Sequence, residues 1–278
     1  MSFQPDNSSN NEIFHNLEIC VWELKKWMME NLLQVNTDKT KLLFFGTQRQ
    51  LSKVMRSTFN AGGDIVDITP SARNLGVIFD SGLTMKEHIK EVCKTSFYEL
   101  RNIACIRRFL TMHAAKTVIQ ALVTTKLDIN NSLYYGLPNA QLQRLQLIQN
   151  AAARIILRWR KFQHITPGLI ELHWLPVSYR IKFKILVMTY KCINNQAPKY
   201  LSSLLKPKIH SRFDLRLYHN PHLLEERKSR LVYWGDRSFA TAAPKEWNRL
   251  PQDIQSSPSV YIFKSKLKTY LFRECFKL

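Results

Sequence analysis

The chain has 278 residues and lacks most of the signatures that assign a chemistry on sight. No two aspartates are adjacent and none are separated by a single residue, so no local carboxylate pair offers itself to catalytic Mg²⁺ ions. GxxxxGK[ST], GxSxG and HExxH are all absent. The five cysteines (Cys20, Cys93, Cys105, Cys192 and Cys275) are odd in number and scattered. That spacing argues against a disulfide framework and against a CxxC zinc knuckle, and it suits a reducing compartment. No apolar run approaches the roughly 20 residues that cross a bilayer. Met1 to Asn11 is polar, without the basic and apolar regions of a signal peptide. The expectation is an intracellular chain, nuclear or cytoplasmic, with no membrane partner. Internal repeats and low-complexity tracts are also missing.

Acidic residues are scarce in one part of the chain only. Residues 1–90 carry 10 Lys+Arg and 10 Asp+Glu, whereas residues 91–278 carry 31 and 11, so the whole net charge of +20 sits in the second part. A neutral first third followed by a strongly basic remainder points to a polyanionic partner. Nucleic acid is favoured over an anionic membrane, because the basic segments are long, aromatic-rich and periodic rather than short polybasic tails.

What is present reads as α+β. With 45% hydrophobic residues the chain can bury a real core, and its length suggests roughly two domains. Residues 1–11 read as a disordered lead. Ile13, Leu17, Cys20, Val21, Leu24, Met28 and Leu32 recur at helical spacing, predicting a helix over 13–33. Short apolar or alternating runs at 42–45, 64–68 and 75–79 predict strands, closed by Gly46, Pro70 and the Asp80-Ser81-Gly82 turn. From Thr84 the pattern becomes helical. Thr84 and Glu87 have capping-box spacing, and Ile89, Val92, Cys93, Phe97, Leu100, Ile103 and Ala104 share a face. Further helices are expected at 113–127, from Asn139 to about Trp159, just beyond Pro167, at 178–193 and at 259–276. Pro198 to His222 is rich in Pro, His and Arg.

The stretch from Leu142 to Lys184 holds ten Arg, Lys or His residues and a single acid, Glu171. Arg154 and Arg158 are four apart, Arg160 and Lys161 follow Trp159, and Arg180 and Lys184 repeat the spacing with Lys182 between them. A basic face that only screens a core usually has glutamates interspersed at i, i+4, and these helices have almost none. These seven residues are therefore the candidate phosphate contacts. Among the aromatics beside them (Trp159, Phe162, Trp174, Tyr179 and Phe183), core packing is the expectation for most, although each has a face on which a base could stack. His164 and His173 lie nine apart with no cysteine nearby, which favours a structural or phosphate-contacting role over metal ligation. Asp64 and Asp67 fall on opposite faces of one strand and cannot share a metal.

Several short blocks recur in a recognisable order. Trp27 to Leu33 is followed by Asn36, Asp38-Lys39-Thr40 and Leu42 to Gly46, then by Arg73-Asn74-Leu75-Gly76-Val77-Ile78-Phe79-Asp80 and His88-Ile89. Ala121-Leu122-Val123, Leu127-Asp128, Asn130 to Leu133 and Gly136-Leu137-Pro138 come next. Then follow Leu145-Gln146, Gln149 to Arg154, His164 to Pro167 and Leu172 to Val177. The end carries Arg237-Ser238-Phe239, Ala243-Pro244, Trp247-Asn248, Leu250-Pro251, Phe263-Lys264 and Leu267-Lys268. In this order the blocks resemble the downstream portion of the reverse transcriptase of non-LTR (LINE-type, jockey-like) retrotransposons, over nearly everything from Ile13 onward.

The resemblance implies a right-hand polymerase fold that copies RNA into DNA. It divides the chain into a palm remnant at 12–83, a helical thumb at 84–162 and a basic C-terminal region at 163–278. Leu75, Gly76 and Val77 become a primer-grip-like segment, with Gly76 allowing close backbone approach, and Lys39 corresponds to a palm lysine. In that family the catalytic aspartates of a [YF]-A-D-D turn precede the helix that begins here. The expectation is thus a truncated polymerase that needs no cofactor of its own, Mg²⁺ belonging to the full-length family. It would retain non-specific binding of RNA or template–primer duplex without catalysis, in an oligomeric state left open. The alternative is a domesticated or non-functional element-derived protein acting only as a basic interaction module.

Overall fold

Phe14, Leu17 and Val21 stand at helical spacing, and helix α1 (Asn10–Glu30) lays this stripe against a small core of Phe59, Ala61 and Val66, joined by Leu42 and Phe44. In this computed structural model, residues 10–54, 58–208, 222–229 and 234–278 are described. Most of the expected lead at 1–11, and residues 209–221 of the Pro/His/Arg-rich stretch, lie outside them. The fold is mixed α+β, and the chain divides into two compact units, Met1–Lys90 and Glu91–Leu278.

In the first unit, α1 stops with Leu32 in the left-handed region, where the Leu33 N–H reaches back to the Met28 carbonyl at 2.8 Å and the Leu32 N–H to Met29 at 3.1 Å. This pair of bonds is the Schellman ending, here built without the usual glycine. Two antiparallel hairpins follow: β1 (Thr58–Ala61) with β2 (Asp64–Asp67), and β3 (Ser71–Asn74) with β4 (Val77–Asp80). Each turns through two residues of positive φ, Gly62-Gly63 and Leu75-Gly76, the backbone that a tight primed hairpin turn requires. The strand expected at 75–79 therefore begins two residues later. The strand expected at 42–45 reduces to a single bridge from Leu42 to Ile68, followed by a helical turn, α2 (Gln48–Leu51), with a Thr47–Gln50 capping box.

Helix α3 (Lys86–Ile106) carries the chain from the first unit into the second. Its start is held chiefly by Asp80, and the expected cap Thr84 accepts the Lys86 N–H through Oγ1 at 3.4 Å. The Asp80 carboxylate accepts from the backbone N–H of Thr84 at 2.8 Å and of Met85 at 2.7 Å. The hairpin end thus supplies the acceptor for amide groups that lack an intrahelical partner.

One turn further, the buried His88 accepts the Ile78 N–H through Nδ1 at 3.4 Å, and burial, then the nearby Arg73 guanidinium, hold its imidazole below the ordinary histidine range. The folded state thus keeps His88 neutral while the unfolded chain takes up a proton near pH 6.5. The first unit should lose stability as pH falls below that value. Amide exchange at Ile78, corrected for its intrinsic rate and measured one unit above and one below, should show weaker protection at the lower pH. In His88→Gln the difference should vanish; equal protection in the wild type at both pH values would contradict this.

The second unit is helical. Val92, Leu100 and Ile103 of α3 are buried as the periodicity predicts, but Ser96 takes the inward position and Phe97 faces out. The helix expected at 113–127 forms as α4 (Met112–Ile119) and α5 (Thr125–Asp128), joined by a π-helical turn at Gln120–Thr124. Helix α6 (Asn139–Leu157) buries Leu145, Ile148, Ala152 and Ile156, and with them Gln149. Then come α7 (Thr166–Glu171), α8 (Val177–Ile193), α9 (Lys199–Ser202), α10 (Phe239–Trp247), α11 (Gln252–Gln255) and α12 (Val260–Phe276). The periodicity gave no sign of α10, which contains Pro244.

The segments 84–162 and 163–278 pack within the one unit. Gln149 donates to the Leu175 carbonyl at 2.8 Å, and Gln146 accepts the Val177 N–H at 2.9 Å, so α6 satisfies the backbone at the start of α8. Around α8 a second core gathers Tyr190, Trp247, Phe263, Leu267 and Leu271, with the Tyr190 and Phe263 rings stacked at 4.4 Å. The Tyr190 hydroxyl is buried and donates to the Ser257 carbonyl, which removes the cost of an unmet polar group.

Candidate nucleic-acid interface

The seven candidate cations do not form one uniform surface. Arg154 lies in the last turn of α6, half-buried, with one guanidinium nitrogen donating to the Gln163 carbonyl at 3.2 Å. Arg158 ends the helix in a left-handed conformation, which breaks the expected i, i+4 face. It remains exposed, and so do Arg160 and Lys161 in the loop that follows. Phe162 in the same loop is 95% exposed, so it does no core packing and stands free among cations. A basic loop carrying an exposed aromatic can contact phosphates and offer a ring face to a base.

The loop starts from a pinned end. Arg107, only 8% exposed, donates through Nε to the Ile155 carbonyl at 2.8 Å, through Nη2 to Ile156 at 2.7 Å and through Nη1 to Leu110 at 2.7 Å. These include carbonyls of the final turn of α6, where the helix leaves acceptors without partners and the dipole is negative. Burial, then the charge of Arg158, lower the Arg107 pKa from its ordinary value. On the far side of the loop, Gly168 lets α7 sit against Trp159. A Cβ there would fall 2.8 Å from Leu157 Cδ1 and 3.1 Å from Trp159 Cζ3.

On α8 the picture differs from the sequence pattern. Arg180 makes a two-pronged ion pair with Asp128, Nε to Oδ1 at 2.8 Å and Nη2 to Oδ2. Lys182 lies 3.8 Å from Glu246, a buried carboxylate that also accepts from the Tyr135 hydroxyl at 2.7 Å. Burial, and after it that hydrogen bond, raise the Tyr135 pKa, so the phenol stays a donor. The acids missing from α8 itself arrive from α5 and α10. Of the seven cations, Arg154, Arg158, Arg160, Lys161 and Lys184 have no carboxylate within ion-pair distance among the described residues. His173 is exposed, at a backbone φ of 52°, with its ring 5.7 Å from that of Phe272; His164 is exposed in the loop.

In the first unit, Lys39 ends a 3-10 turn whose start is capped by Asn36 Oδ1, accepting the Lys39 N–H at 3.1 Å. Its side chain, with Lys41 and Arg73, lines an open groove of about 680 Å³ that also holds Asp38. Leu75 and Gly76 form the tip of the second hairpin and Val77 starts β4. Leu75 is 89% exposed, Val77 is buried, and a Cβ on Gly76 would meet nothing within 4 Å. Glycine suits that position because of its φ of 84°, not because the protein crowds it.

Among the described residues no group of three or more His, Cys, Asp or Glu is placed to hold a metal ion. Asp64 is paired with Lys25 at 2.5 Å, and Asp80 holds the start of α3. Among the described residues no helix is long and apolar enough to cross a membrane.

Local patterning could not have revealed Arg107, Asp128 or Glu246, whose partners lie 48, 52 and 111 residues away in the chain. Phe162 was visible as an aromatic among cations, yet its exposure depends on the loop geometry. Comparison with protein-family models, with curated proteins and with solved structures finds no match for this chain.

Proposed function

We propose that this chain is the part of a non-LTR retrotransposon reverse transcriptase that follows the catalytic strand. It binds RNA or template–primer duplex without sequence preference, through phosphate contacts from its second unit, and does not polymerise by itself. One observation carries the reading: the boundary at which the charge changes is the boundary between the compact units. The first unit is neutral and the second holds the whole net charge of +20. A folded body with that excess attracts polyanions over several ångströms and releases counterions on contact.

Two further observations support it. The exposed cations around the end of α6 have no carboxylate within ion-pair distance among the described residues, and Phe162 beside them is exposed. Some of the blocks that carry the resemblance touch one another within the second unit: Gln146 and Gln149 with Leu175 and Val177, and Leu133 with Arg237 at 3.1 Å.

The test uses the full chain with labelled RNA and RNA–DNA duplex. In Arg160→Ala/Lys161→Ala, affinity for both should fall by roughly tenfold, and the slope of log affinity against log salt should shrink by about two. Unchanged affinity would contradict the assignment of this loop. Primer extension in Mg²⁺ should be absent, and any extension would refute the non-catalytic part of the proposal. Binding to heparin or an acidic protein without binding to RNA would favour the basic interaction module instead.

A further inference from the structure

A groove of about 530 Å³ opens in the second unit beside α8. That volume lies in the range of sites for one small molecule and is too small to seat a duplex. Lys116, Lys184 and Lys268 line it, from α4, α8 and α12. Trp174 and Phe183 supply apolar walls. Asp128 also lines the groove, but Arg180 occupies both of its oxygens, so the acid does not repel an anion there. Arg180, expected as a phosphate contact, here neutralises the groove and leaves the contact to the three lysines.

Two features at the base of the groove are otherwise unexplained. The π-helical turn Gln120–Thr124 contributes Gln120 and Thr124 to the lining, and such turns within α-helices recur at functional sites. Asn131, 4% exposed, donates through Nδ2 to Asp128 Oδ1 at 3.4 Å. A carboxylate only accepts, so this contact fixes which way the amide points. The Asn131 Oδ1 is left buried without a partner. At the lip, His173 keeps a left-handed backbone that non-glycine residues seldom adopt.

We propose that this groove binds one unpaired nucleotide of a single strand. Its phosphate lies at Lys116, Lys184 and Lys268, and its base against Phe183 and Trp174. Apolar walls and a cationic rim match the base and the phosphate of a nucleotide, whereas a bare phosphate uses only the rim. The inference rests on the reading that the second unit binds nucleic acid. It adds that the unit distinguishes single strands from blunt duplexes.

The experiment compares a labelled single-stranded RNA with a blunt duplex of equal length on the full chain, wild type and Lys116→Ala/Lys268→Ala. Single-strand affinity should fall roughly tenfold in the variant while duplex affinity changes less than about twofold. Retained duplex binding also shows that the variant is folded. AMP should displace the single strand from the wild type at concentrations where inorganic phosphate does not. Equal losses for both nucleic acids, or phosphate competing as well as AMP, would overturn the groove assignment while leaving the general reading standing. Absence of binding to either nucleic acid by the wild type would overturn both.

Discussion

Arg107→Met should lower the unfolding free energy of the second unit by about 3 kcal/mol, read as a shift of the urea midpoint without a change in slope. The methionine keeps much of the buried volume but donates nothing to the carbonyls of Leu110, Ile155 and Ile156. Hydrogen bonds from a charged donor contribute about 1.5–3 kcal/mol each, and a buried carbonyl left unmet costs about 1–3 kcal/mol. The sum would exceed 3 kcal/mol, but removing a guanidinium whose pKa is lowered by burial recovers part of its desolvation cost. Arg107→Lys should fall between, because one ammonium cannot reproduce the planar fork across three acceptors. A loss below about 1 kcal/mol in Arg107→Met would mean that water replaces the arginine and that α6 ends without its help.

This matters for function because the basic loop begins where Arg107 holds α6. Arg158 donates to the Arg107 carbonyl at 3.4 Å, and Arg154 to Gln163 within the loop. Loosening the helix end would let the exposed cations separate. The destabilising variant and the binding variant therefore test connected parts of one arrangement.

The sequence disclosed this molecule unevenly, for physical reasons. Helices α3, α6 and α12 were legible because burial repeats at 3.6 residues: Leu145, Ile148, Ala152 and Ile156 turn inward together. Ser96 displacing Phe97 shows the limit, since periodicity selects a face and not which neighbour on it lies deepest. The hairpin turn Leu75-Gly76 was hidden inside an apolar run, and Gly62-Gly63 was a turn signal that the strand pattern overshadowed. Helix α10 was masked by Pro244, although Ser238 precedes it and Ala242, Ala243 and Trp247 are buried along it.

At the candidate interface, charge was legible and pairing was not. Seven cations stood out from their neighbours, yet Arg180 and Lys182 find Asp128 and Glu246 through tertiary packing. Helix-local spacing carries no information about an acid brought in from another helix. The four exposed cations Arg158, Arg160, Lys161 and Lys184, with the half-buried Arg154, remain available to phosphate.

The four of these outside the groove, Arg154, Arg158, Arg160 and Lys161, set the size of the largest effect the account predicts on duplex. Each neutralised phosphate contributes a slope of about −0.9 on duplex DNA and about −0.7 on a single strand, in log affinity against log salt. Four contacts give a slope of roughly −3.6 on duplex, so raising salt from about 50 to about 200 mM should weaken binding about 150-fold. The most direct test of the central claim is therefore the affinity of the full chain for one duplex across that salt range. A straight line with a slope of about −3.5 or steeper is the predicted result. A flat response, or no measurable binding at the lowest salt, would contradict the claim that this basic unit is built to hold nucleic acid.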